Sequence, residues 1–200
     1  MITKGLGFIE SGVNPNDATY AAPKIELPKR YELREQLRVY DQGSKGSCVS
    51  CTVAEMYNFY CKSKGREPSI GFEYLYDQRS DKTIDGMMPR EAFEILKGEH
   101  RIEVFARIGS LDALKKSVLT NGAALIAMNV FSYNDDFWNG DEFMGGHAVA
   151  VVGYDETGLI IKNSWGTSFG RGGYTTLPYS QFNKVCLLYT SPSPRDLSTS

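Results

Sequence analysis

The sequence predicts an α+β fold of two lobes, helical first and β-rich second, on three observations. Behind Cys48, apolar residues recur at helical spacing at Cys51, Ala54, Tyr57 and Cys61. After Gly122 the pattern changes to short β-prone runs over 123–131, 147–154, 159–163 and 173–177. A block of helices followed by a block of strands fits an α+β arrangement better than an alternating parallel sheet. No internal repeat is visible.

Residues 1–26 read as an extended arm, with Ser11-Gly12-Val13-Asn14-Pro15-Asn16-Asp17 as turn chemistry and Pro23 and Pro28 as breakers. Residues 27–109 are expected to form the helical lobe. Its helices run over 48–64 and 72–78, and a third is opened by Pro89 and turns Ala92, Phe93, Ile95 and Leu96 inward. Ser110 is the expected cap of a fourth helix over 111–121, which Gly122 stops. That helix begins the second lobe, residues 110–185, where Asp155-Glu156-Thr157-Gly158 is a hairpin turn. Cys48 then lies on one lobe and His147 with Asn163 on the other, so the cleft between them is the expected site.

With 42% apolar residues, 200 residues suffice for one globular body or two small lobes. The net charge is −2 and charges of both signs are scattered, which argues against a nucleic-acid or membrane-surface partner. No apolar run approaches the ~20 residues of a membrane span. Met1 to Ile9 lack the apolar core and cleavage site of a signal peptide, so secretion is not indicated and the compartment stays open. Cys48, Cys51 and Cys61 do not make a disulfide framework.

The chemistry is carried by four residues. Gln42 and Cys48 bracket the Gly-rich run Asp41-Gln42-Gly43-Ser44-Lys45-Gly46-Ser47-Cys48, and far downstream come His147 and Asn163. A thiol attacks a carbonyl well only as thiolate, so it needs an imidazole to take its proton and a third group to hold the ring. Cys48 at a helix start meets unpaired N–H groups and the positive dipole end, which favour the thiolate. Gln42 can donate its side-chain N–H beside the backbone N–H of Cys48, giving an oxyanion two donors. Taken alone, His147 could be a core histidine and Gln42 an ordinary turn residue. Their spacing with Cys48 and Asn163 favours catalysis, whereas Cys51 and Cys61, on the inner helical face, read as small hydrophobes.

The order Gln42, Cys48, His147, Asn163, closed by Asn163-Ser164-Trp165-Gly166, resembles the papain-like cysteine peptidases over residues 27–182. Lys45 and Val49 stand where that signature has a Cys and an aromatic residue. The resemblance therefore implies that one family disulfide is absent. The stretch from Cys48 to His147 is shorter than the ~130–150 residues of papain and cathepsins, which reads as trimmed loops. The short arm resembles the bacterial, phage and giant-virus branch.

The resemblance implies a papain-like fold whose second lobe is an antiparallel, barrel-like sheet. It also implies a monomeric cysteine endopeptidase acting on peptide or protein through a thioester, without metal or organic cofactor. By the same resemblance Gly86 pairs with the substrate backbone, Trp165 shields the His147–Asn163 bond, and Ala148 lines a pocket suited to a bulky apolar side chain. The arm is expected to lie near the cleft and restrict access.

Two other readings compete. Cys48-Val49-Ser50-Cys51 is a Cys-x-x-Cys at a helix start, as in thiol redox proteins, although a polar turn rather than a strand leads into it. The other is a catalytically silent papain fold that binds peptides. Finally, Cys186 to Asp196 can be encoded by codons resembling a transposase-based sequencing adapter read in frame, with residues 197–200 as index and flanking sequence. On that reading residues 186–200 are a non-native tail, poorly packed from about Pro192, and a terminal strand is missing from the second lobe. The alternative is that residues 185–190 form an ordinary strand.

Overall fold

The computed structural model describes residues 4–12, 14–33, 37–191 and 197–198. Two short strands, β1 (Thr19–Tyr20) and β2 (Tyr31–Glu32), precede three helices: α1 (Cys48–Ser63), α2 (Phe72–Asp77) and α3 (Pro89–Gly98). Strand β3 (Ala106–Arg107) leads to α4 (Leu111–Asn121). Then come β4 (Ala124–Val130), β5 (Gly145–Tyr154), β6 (Gly158–Lys162) and β7 (Tyr174–Pro178), a 3-10 turn over Tyr179–Lys184, β8 (Val185–Thr190) and β9 (Leu197–Ser198).

Local chemistry sets the helix ends. Ser110 Oγ accepts the Ala113 N–H at 3.1 Å at the start of α4, and Gly122, at φ 95°, ends that helix in a conformation few other residues adopt. Pro89 occupies the first turn of α3, where its missing N–H costs nothing. At α1, Ser47 makes no side-chain cap bond, so the first-turn N–H groups around Cys48 are left for other acceptors.

The strands form one sheet ordered β7-β6-β5-β4-β8-β3-β1-β9, with β2 paired to β5; every pairing is antiparallel except β1 with β3. Alternation along β4 divides its side chains between two cores. Leu125 and Ala127 join Ala148, Ala150 and Val152 of β5 against α1, α2 and α3, while Ile126, Met128 and Val130 pack with Val149, Val151 and α4 on the opposite face. A register shift between Val151 and Gly153 returns Tyr154 to the second core.

One expectation is corrected at the end of the chain. The second lobe does not lack its terminal strand: β8 lies between β4 and β3, with Leu187 and Tyr189 buried and Tyr189 packed on Phe93 and Phe105. The apolar, β-prone run Val185–Thr190 satisfies the open edge of β4 whatever its origin. Leu197–Ser198 also pair with β1, against the expectation of a loose tail, while residues 192–196 lie outside the described residues.

Candidate active site

Cys48 is the first residue of α1 and is fully buried behind the turn Asp41–Ser47. Gly43, at φ 59°, lets that turn close, and Asp85 holds it by accepting the Gly46 N–H at 2.9 Å. Burial pushes the Cys48 thiol up from its ordinary range; the N–H groups of Ala148, Gly7, Val49 and Cys48 itself oppose that by pointing at the sulfur.

His147, on β5, and Asn163, just past β6, are neighbours across the β5–β6 pairing. His147 Nε2 and Asn163 Oδ1 lie 2.8 Å apart, and His147 Nδ1 has no partner. Trp165 stacks on the imidazole with ring centres 4.5 Å apart, and Phe137 meets it edge-on at 5.7 Å. These rings pack on His147, and both His147 and Asn163 are buried. Burial draws the His147 pKa down to about 4, partly offset by the Asn163 bond.

Gln42 is held at both ends. Its Oε1 accepts the Ser164 hydroxyl at 2.6 Å, and its Nε2 donates to Lys45 O at 2.7 Å and to Gly5 O at 3.1 Å. Ser164 in turn donates its N–H to Asn163 Oδ1 at 2.7 Å. Ser164 thus links Asn163 to Gln42, a role that a hydroxyl beside Asn163 could have suggested.

The N-terminal arm lies between the turn before α1 and the start of β5. Lys4 contacts Asp41 Oδ1 at 3.2 Å and Trp165 O at 3.1 Å, and Gly5 donates its N–H to Gly43 O at 2.8 Å. Gly7 O accepts the Met87 N–H at 2.9 Å, Phe8 N–H reaches Gly146 O at 3.1 Å, and Ile9 N–H reaches Met87 O at 3.2 Å. Phe8 and Met87 pair in parallel. A Cβ on Gly5 would run into Lys45 O, and one on Gly7 into Gly46 O. Farther on, Arg90 Nη2 binds Asp17 at 2.7 Å and Gly12 O at 3.0 Å.

The structure therefore brings Gln42, Cys48, His147, Asn163, Ala148 and Trp165 to one place. Ala148 is buried in the same core as Cys48, and Trp165 stacks on His147 rather than facing open space. At Gly86 the backbone pairing falls one residue later, on Met87, while a Gly86 Cβ would sit 2.9 Å from Gly7 O. Unforeseen in the sequence is the buried pair Lys162–Glu55: Lys162 directly precedes Asn163, and Glu55 lies on α1 beyond Cys48. Among the described residues, no group of three or more His, Cys, Asp and Glu is placed to hold a metal ion.

A family model for papain family cysteine proteases matches residues 100–194, which contain His147 and Asn163. Cathepsin L of Sarcophaga peregrina is 26% identical over 88% of this chain and 67% of its own length. The chain is thus similar to the papain family of cysteine proteases. A peptidase C1-like protein of Acanthamoeba polyphaga mimivirus is also 26% identical, over 78% of this chain and 71% of its own. Xylellain, a cysteine protease from Xylella fastidiosa, superposes with a TM-score of 0.81 at 20% identity, covering 100% of this chain and 98% of that one. The chain thus has the papain-like α+β fold.

Proposed function

We propose that Cys48 is the nucleophile of this cysteine endopeptidase, His147 its base, Asn163 the orienter of His147, and Gln42 with the N–H of Cys48 the oxyanion donors. The observation that carries this reading is the His147 Nε2–Asn163 Oδ1 bond under Trp165, which leaves Nδ1 unpartnered and commits the ring's other nitrogen. In the reaction His147 takes the thiol proton as Cys48 attacks the carbonyl, then gives it to the leaving amine; water, activated by His147, releases the acyl group from the thioester. Every group comes from one chain, so the proposed unit of function is a monomer.

The arm is the proposed restraint. It sets Gly7 against Cys48, places Gly5 O on the Gln42 amide and leaves Cys48 a thiol beside a neutral His147. Phe8 packs against the core that holds Ala148 and Met87, which supports a preference for bulky apolar side chains at that position of a substrate.

Labelling with a peptidyl epoxide tests the assignment. One adduct on Cys48, prevented by prior thiol alkylation and indifferent to chelator, is expected; modification elsewhere, or loss of labelling with chelator, refutes it.

A further inference from the structure

The Cys-x-x-Cys has a use that peptide hydrolysis does not require. Cys48 and Cys51 both lie in the first turn of α1, both are buried, and neither is in a disulfide. Residues three apart share a helix face, and helical geometry sets their Cα atoms ~5 Å apart. A disulfide spans Cα separations of roughly 4.4–6.8 Å. Cys51 does not merely fill the core behind the nucleophile: it shares the first turn of α1 with Cys48 and lies near Ser164, the residue that holds Gln42. Cys61 lies ten residues farther along the same helix, which places it ~15 Å away and out of reach.

Resting on the reading of Cys48 as the reactive thiol, we propose that Cys51 is a resolving thiol that captures Cys48 after attack by a peroxide and stores it as a reducible disulfide. In the first step, once the arm lifts and His147 takes the Cys48 proton, the thiolate attacks one peroxide oxygen, the O–O bond breaks, Cys48 becomes a sulfenic acid, and the departing hydroxide recovers that proton as water. In the second, the Cys51 sulfur attacks the Cys48 sulfur, the S–O bond breaks, and the departing hydroxide takes the Cys51 proton to leave as water. Two electrons pass from the thiol pair to the peroxide, and a dithiol reductant returns them. Burial raises both thiols; Cys48, at the start of α1 with His147 as its proposed base, is the one that gives up its proton, so the first oxidation falls there. Without a neighbour, the sulfenic acid advances to the irreversible sulfinic acid.

The test treats the full chain with hydrogen peroxide, alkylates it, and maps residues 48–61 by mass, with fragment ions separating Cys61. The wild type should lose two hydrogens between Cys48 and Cys51, take no alkyl group at either, and regain complete epoxide labelling of Cys48 after a dithiol. Cys51→Ser and Cys51→Ala, two variants in case one folds poorly, should instead gain two oxygens on Cys48 that a dithiol does not remove. Full recovery in both variants, or sulfinic Cys48 in the wild type at the variants' rate, overturns the proposal. Epoxide labelling without any disulfide sinks this inference alone, whereas a Cys48 that takes neither epoxide nor peroxide sinks the nucleophile assignment with it.

Discussion

Substituting Gly7 by Ala should open the active site. A Cβ at that position meets the carbonyl oxygen, carbonyl carbon and Cα of Gly46, all backbone, so no side chain can turn aside to admit it. The arm must lift at Gly7, which gives up the Met87 N–H to Gly7 O bond of 2.9 Å and pulls on the adjoining Phe8 N–H to Gly146 O bond of 3.1 Å. Two backbone bonds at a net ~0.5–1.5 kcal/mol each amount to about 1–3 kcal/mol. That corresponds to roughly a 5–150-fold shift from closed to open. The second-order rate of epoxide labelling at Cys48, and kcat/KM on a fluorogenic peptide, should rise by that factor until the open form predominates. Gly12→Ala is the control, because a Cβ there meets nothing within 4 Å. Labelling of Gly7→Ala no faster than that of the wild type, with the arm still attached, would refute the reasoning.

Cys48→Ser and His147→Ala should abolish hydrolysis of an unfolded protein, and Gln42→Ala should lower kcat by ~10²–10³; a Gln42→Ala enzyme at wild-type turnover would remove Gln42 from the oxyanion site. Because the buried His147 has its pKa drawn from 6.5 to about 4, the unfolded chain binds the extra proton between those values. Stability present above pH 6.5 should therefore fall by roughly 3 kcal/mol as pH drops to about 4, read by melting temperature, and His147→Gln should flatten the curve. Breaking the buried pair by Lys162→Met alone should cost ~3–5 kcal/mol, and adding Glu55→Leu should recover much of it in denaturant titrations. Genomic sequence across the codons for Lys184 to Cys186 should diverge after Val185 if the tail is adapter-derived; the same codons continuing into a longer reading frame would exclude that.

The residues of the proposed catalytic set were legible because thiol chemistry demands particular side chains in a particular order, and because a Gly-rich turn before an apolar helix places Cys48 without knowledge of the rest of the fold. Helix α4 was equally plain from Ser110 and Gly122. What stayed hidden depends on surfaces far apart in sequence. Gly5 and Gly7 read as ordinary flexible residues until Lys45 and Gly46 are seen pressed against them. Lys162 and Glu55 carried a weaker signal: each is a charge within an otherwise apolar segment, but only the packing of α1 near β6 supplies the partner. The pairing at Met87 instead of Gly86 turns on a one-residue register that composition cannot set. The edge left by β4, which draws in Val185–Thr190, is likewise a property of the assembled sheet.

The arm's attachment also determines what kind of inhibitor it can be. A tethered competitor acts at an effective concentration fixed by its own chain, on the order of millimolar for a short linker, so diluting the enzyme does not relieve it. It lowers the share of molecules able to take substrate, which raises the apparent KM and leaves the turnover of the saturated enzyme unchanged. An assay run at saturating peptide would thus record a fully active enzyme, while the same protein among scarce peptides would scarcely turn over. On the proposed reading, the segment from Lys4 to Ile9 scales the substrate concentration the enzyme needs, by a factor set by the fit of Gly7 against Gly46.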